Sequence, residues 1–130
     1  VSQVLIDTQA LIWFAENAPA LSAAARALVD DPNTVRLASS ASLWEMAIKI
    51  RLGKLTLRSG SLRRFAIMLR DHDVEVLDVS TNDAIGVGDL PTGEHKDPFD
   101  RLLAAQCLGR RLTLVSIDTA FDAYGVRRVW

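Results

Sequence analysis

Five acidic residues stand where a strand gives way to a helix or where a helix begins. Asp7 follows VLI, Glu45 lies in SLWEM, Asp97 and Asp100 lie in HKDPFDRLL, and Asp118 follows LTLVSI. Carboxylates gathered in one partly desolvated cleft repel each other unless a cation sits among them. An oxygen-only donor set, without His or Cys, suits a hard cation, Mg²⁺ or Mn²⁺. That is the equipment of metal-assisted phosphodiester cleavage. Carboxylates alone repel a phosphate, whereas a metal reverses the local sign, lowers the pKa of a bound water and stabilises charge on the phosphoryl and leaving oxygens.

Such a cluster needs a scaffold that brings distant positions together. The apolar runs VLID, TVRLA, VEVLDVS, LTLVSID and VRRVW read as strands. Between them TQALIWFAEN, SAAARALVDD, SSASLWEMAIKIRLGKL, SLRRFAIMLRDHD and DPFDRLLAAQCLGRR read as helices. TNDAIGVGDL and TAFDAYG read as a short helix or turn, and PTGEHK as a loop. Apolar strands alternating with helices imply an α/β fold with a mostly parallel sheet, arranged as one domain over residues 1–130. In such sheets ligands bind beyond the carboxyl ends of the strands, where Asp7 and Asp118 are expected.

Each acid also has a plainer reading. Asp7 before Thr8, Asp97 before Pro98 and Asp118 before Thr119 have the form of helix N-caps. Ser42-Leu-Trp-Glu45 has the form of a capping box. In HKDPFDRLL, Asp97 with Pro98 at the first helical position starts the helix and stays close to the site. Asp100 then falls one turn on, sharing a face with Leu103, Ala104 and Cys107 that is expected to pack on the sheet, where it is either a ligand or a favourable charge in the first turn. Thr8 and Ser116 either support a ligand or satisfy local backbone. His95 either meets RNA or is solvated, and Arg101 could bind a phosphate or hold a neighbouring carboxylate. Lys49 stands four residues after Glu45 as its helical partner. Trp44 is expected in the core rather than as a stacking platform.

The bulk properties set limits. The chain has 130 residues, 49% hydrophobic and 24% charged, and so is not of the disordered class. A net charge of −1 excludes nucleic-acid binding by bulk charge alone, but setting Asp7, Glu45, Asp100 and Asp118 aside turns it into +3. Arg51, Lys54, Arg58, Arg63, Arg64 and Arg70 then form either a basic rim for phosphates or an acidic partner, or an ordinary solvated face. Cys107 is the single cysteine, so no intrachain disulfide is expected, which fits a reducing cytoplasm. No run is long enough to span a bilayer, and no signal peptide is expected.

With these residues in view, the chain resembles the PIN-domain nucleases, and more narrowly the VapC-type toxins of toxin–antitoxin pairs. The likeness is carried by VLIDTQALIWF, SLWEMAIKIRLGKL, HKDPFDRLLAAQ and LTLVSIDTAFDAYGV, and so runs nearly end to end. It implies a three-layer α/β/α domain with a mainly parallel sheet. It also implies that Asp7, Glu45, Asp100 and Asp118 are the catalytic, metal-binding acids of a Mg²⁺- or Mn²⁺-dependent endoribonuclease. The expected partners are an RNA substrate, a small inhibiting antitoxin and a second copy in a homodimer. The competing expectation is a non-catalytic interaction module of the same fold whose acids are only helix caps. Receiver and haloacid-phosphatase domains are disfavoured, because the first strand ends in Asp7-Thr8-Gln9 and offers neither an acid doublet nor D-x-D.

Overall fold

The computed structural model describes residues 2–91 and 96–130. Its centre is a sheet of five strands, β1 (Ser2–Ile6), β2 (Thr34–Ser39), β3 (Val74–Leu77), β4 (Thr113–Val115) and β5 (Arg128–Val129), in the order β3-β2-β1-β4-β5. Every neighbouring pair is parallel. Parallel strands need crossovers, and helices α1 (Thr8–Ala15), α2 (Ala23–Asp30), α3 (Ser40–Arg51), α4 (Leu62–Asp71), α5 (Thr81–Gly86) and α6 (Pro98–Arg110) supply most of their length.

Side chains alternate across a strand, and here the alternation sorts the core into two. On β1, Val4 and Ile6 face one cluster with Leu11 and Phe14 of α1, Val29 of α2, Met46 of α3 and Phe65 and Leu69 of α4. Leu5 faces the other, with Leu103, Ala104 and Cys107 of α6 and with Phe121 and Tyr124. Ala38 and Leu37 of β2, and Val115 and Leu114 of β4, divide the same way. The molecule is therefore a three-layer α/β/α sandwich, with β1 in the middle of the sheet and buried from Val4 to Ile6.

The strands are shorter than the sequence suggests, for local reasons. The run VEVLDVS keeps strand geometry only to Leu77, because Ser80 turns the chain into α5 through a capping box with Asp83. The run LTLVSID stops at Val115, where Ser116 accepts from the Asp118 amide (3.0 Å) and Asp118 caps the 3₁₀ turn Thr119–Tyr124. Of VRRVW, only Arg128 and Val129 pair with β4.

Two expectations on α3 are overturned. The helix is capped by Ser39, whose hydroxyl accepts from the Ala41 amide (3.1 Å), so Ser42 and Glu45 do not form a capping box. Starting the helix earlier puts both on an inward face. The opposite face then carries Trp44, which is 59% exposed rather than in the core, along with Ile48 and the 61%-exposed Leu52. The edge of Trp44 is met by Phe99 at a ring separation of 5.0 Å. Helical spacing puts Trp44, Ile48 and Leu52 on one stripe, but spacing does not say which of two faces meets the sheet.

Candidate active site

The carboxyl edge of the sheet carries a pocket of about 560 Å³ lined by Asp7, Thr8, Glu45, Lys49, Lys54, Asp100 and Asp118 together with Gln9, Ile12, Leu55 and Ile117. Four acids from four elements thus reach one cavity. Asp7 gets there because β1 ends at Ile6 and its own amide still donates to the Val115 carbonyl (3.0 Å), which holds it level with the end of β4. Its side chain then caps α1, Oδ1 accepting from the Ala10 amide (2.8 Å). Asp118 arrives by the same device three residues past β4, its Oδ1 accepting from the Ala120 amide (2.9 Å).

Ser116 ties these two acids together. It is fully buried. Its hydroxyl hydrogen-bonds the Asp7 side chain and accepts from the Asp118 amide. Even so, burial pushes the Asp7 carboxyl above its ordinary value, and the negative charges of Asp118 and Glu45 push the same way, against the hydrogen bonds from Ser116 and Ala10. Asp7 is thus an anion held where its charge is poorly solvated, next to others of its sign.

Glu45 is held from both sides. Thr8 Oγ1 lies 2.7 Å from Glu45 Oε1 and 2.9 Å from Ser42 Oγ. One hydroxyl carries one proton, so Thr8 donates to the carboxylate and Ser42 donates to Thr8. On the other side, Lys49 Nζ lies 2.7 Å from Glu45 Oε2. The hydrogen bond to Glu45, then the charges of Glu45, Asp97 and Asp100, hold the Lys49 ammonium above the usual lysine value against a desolvation effect of opposite sign. Lys49 is the local cation that lets the acids share the space.

The two aspartates of HKDPFDRLL occupy different places. Asp97 caps α6, its Oδ1 accepting from the Phe99 (2.9 Å) and Asp100 (3.1 Å) amides, with Pro98 at the first helical position. Asp100, in the first turn, lines the pocket; Asp97 is not among its walls. The Arg101 guanidinium is directed toward the Val87 carbonyl (3.4 Å) and over the Tyr124 ring (5.8 Å to its centre). His95 lies outside the described residues. Two residues at the site, Ser42 bonded to the wall residue Thr8 and Lys54 on the wall itself, owe their places to the fold. Ser42 shares the Glu45 face of α3, but only the packing of α1 across it reveals the contact. Lys54 belongs by sequence to the basic run from Arg51 to Arg70, and only the fold sets it apart from that run.

All oxygen donors on the pocket wall are hard, and they surround a carboxylate destabilised by its neighbours, which is a donor set suited to a divalent cation. As placed, they line the cavity without converging. Among the described residues, no three His, Cys, Asp or Glu side chains are grouped closely enough to hold one ion.

A second cavity, of about 520 Å³, lies between α5 and α6. Two of its charged groups, Asp83 and Arg110, satisfy one another. Arg110 makes a two-pronged ion pair with the buried Asp83, which also accepts from the Ser80 amide (2.8 Å) and the Gln106 amide nitrogen (3.3 Å). Burial alone would raise the Asp83 carboxyl, but Arg110, Ser80 and Gln106 together hold it below its ordinary value. This is a structural pair joining two helices.

The family model of the PIN domain matches residues 4–126. Among solved structures, the chain is similar to one from the VapBC2 complex of Rickettsia felis bound to a DNA fragment from its promoter, with 19% identity, a TM-score of 0.73 and coverage of 98% of this chain and 97% of that one. It is also similar to a chain of the DNA-bound VapBC of Salmonella typhimurium (23% identity, TM-score 0.65, covering 99% and 98%). A third likeness is to VapBC-1 of nontypeable Haemophilus influenzae (17% identity, TM-score 0.64, covering 98% and 96%). Among curated proteins, none matches the sequence.

Proposed function

This chain belongs to the PIN domain family, and from that premise we propose that it is a Mg²⁺- or Mn²⁺-dependent endoribonuclease, the toxin of a VapBC-type toxin–antitoxin pair. The observation that carries the reading is the meeting of Asp7, Glu45, Asp100 and Asp118 in one pocket at the carboxyl edge of a parallel sheet. The raised Asp7 carboxyl, due first to burial and then to Asp118 and Glu45, supports a role for these acids beyond capping. The similarity to chains of VapBC complexes supports an antitoxin as partner. The same reading takes RNA as substrate, the cytoplasm as location, residues 1–130 as one domain and a homodimer as the assembly. Among the described residues, no helix is long and apolar enough to cross a membrane.

Asp7, Asp100 and Asp118 would hold the cation, with Glu45 beside them. When bound, the cation supplies a water of lowered pKa and charge stabilisation on the phosphoryl group. The chain's own residues prepare the place. Ser116 and the Ala10 amide fix the Asp7 carboxylate. Thr8 and Lys49 fix the two oxygens of Glu45, so that it faces the pocket in one orientation. The exposed Ile117, the buried Ile12 and the partly buried Leu55 give the cavity apolar walls that displace water from around the acids.

The competing reading, a non-catalytic module with the acids as caps, draws on Asp7, Asp97 and Asp118, all of which do cap. The two are separated by incubating the purified chain with bulk RNA and Mn²⁺, with and without EDTA, alongside Asp100→Asn. The nuclease reading expects cleavage that EDTA and Asp100→Asn each abolish, with circular dichroism unchanged. Full cleavage in EDTA or in the variant would overturn it. Sequencing the cut ends then identifies the RNA.

A further inference from the structure

Helix α3 ends in a two-bond Schellman turn. Gly53 takes φ +71°, its amide donates to the Ile50 carbonyl (3.0 Å), and the Lys54 amide reaches back to the Lys49 carbonyl (2.8 Å). In this motif the residue after the glycine and the one five positions earlier usually make an apolar contact. Here they are Lys54 and Lys49. The turn therefore sets two ammonium groups on the same wall of a pocket whose other charged residues are Asp7, Glu45, Asp100 and Asp118. Like charges brought together on a helix end are unfavourable without a purpose or a partner. Lys49 has its partner in Glu45. Lys54 is exposed, and among the described residues no carboxylate pairs with it.

A polyanion entering an acidic pocket needs a cation at the rim to offset the repulsion. Of the basic residues running from Arg51 to Arg70, Lys54 is the one that lines the cavity. Arg51 instead borders the exposed face around Trp44, Ile48 and Leu52.

We infer that Lys54 is a substrate-binding residue, taking a backbone phosphate of the RNA strand beside the phosphodiester that is cut. Lys49 stays with Glu45 and screens the acids from that phosphate. This rests on the reading of the pocket as an RNA-cleaving site.

The test is the salt dependence of binding, which reports the number of phosphates neutralised. On a single strand, each phosphate that is no longer neutralised lowers the slope of log K against log salt concentration by about 0.7. The probe is a fluorescein-labelled 2′-O-methyl oligoribonucleotide of mixed sequence, followed by anisotropy over an NaCl series and checked on a gel for integrity. Lys54→Ala is expected to flatten the slope by about 0.7, whereas Lys54→Arg and Arg70→Ala keep the original slope. An unchanged slope in Lys54→Ala, or an equal flattening in Arg70→Ala, overturns the assignment while leaving the nuclease reading in place. A parent protein that neither binds this probe nor cleaves RNA overturns both. Displacement of the probe by poly-glutamate from the parent but not from Lys54→Ala would give Lys54 to an acidic protein segment and overturn the RNA assignment.

Discussion

Replacing Thr8 with valine removes one oxygen and almost no volume, and the structure says where the cost falls. The Thr8 hydroxyl is the link between Ser42 Oγ (2.9 Å) and Glu45 Oε1 (2.7 Å), all three residues being buried. Valine leaves the Glu45 oxygen without its buried donor and the Ser42 hydroxyl without its acceptor. A hydrogen bond to a charged group contributes about 1.5–3 kcal/mol, and a neutral one about 1. Lys49 continues to hold Oε2, which limits the total to roughly 2–3 kcal/mol. At an unfolding entropy of about 2.1 cal/mol/K per residue, this 130-residue chain should lose about 7–11 °C in Tm. Thr8→Ser keeps the hydroxyl and loses one methyl, about 0.8 kcal/mol, so it should fall by only about 3 °C. The assay is a thermal melt in EDTA, which keeps any cation out of the comparison. A Tm for Thr8→Val within about 2 °C of the parent, or a larger fall in Thr8→Ser, would refute the placement of this hydroxyl as the support of Glu45.

Asp7→Asn should stabilise the cation-free fold at pH 7. The folded Asp7 pKa lies above the ordinary value of 3.8, so its favourable contribution is complete below that value and is lost as pH rises through the folded pKa; the advantage of the variant should therefore shrink on acidification, as urea melts across pH would show. On the proposed reading Mn²⁺ is expected to raise the Tm of the parent, and the same variant should lose that rise. Asp97→Ala removes the α6 cap and should cost about 1 kcal/mol in urea melts while keeping the Mn²⁺ response, the reverse of Asp100→Asn. Cys107 is buried, and burial pushes its thiol up to about 12, so it should resist a disulfide reagent at pH 8 until denaturant is added; prompt labelling of the native chain would contradict that burial.

How much of this was legible in the sequence depended on whether the signal was local. The start of α6 was, because Asp97 and Pro98 fix a cap within three residues. So was β1, whose Val4, Leu5 and Ile6 face both layers and read as an unbroken apolar run. The convergence of Asp7 and Asp118 followed from their places after strands that proved to be neighbours. The orientation of α3 did not follow. Its apolar stripe of Trp44, Ile48 and Leu52 has the look of a core face, and Ser42 with Glu45 that of a cap. The inward side is set by the packing of Ala41 and Met46 in the core and by the polar contact of Thr8 with Ser42 and Glu45 across that helix. Lys54 does not stand out from its basic neighbours for a similar reason: its place depends on a turn geometry at Gly53 that reverses the chain toward the pocket.

The strand order has a bearing on when the site comes into being. The first strand sits at the centre, and its partner on one side, β4, is made of residues near the far end of the chain. During synthesis, Asp7 is therefore translated early, but the edge that sets Asp118 opposite it is completed only after α6 has emerged and Val115 has paired with Ile6. The topology thus ties completion of the acidic edge to one late pairing, since no stretch of chain that stops short of β4 can set Asp118 opposite Asp7.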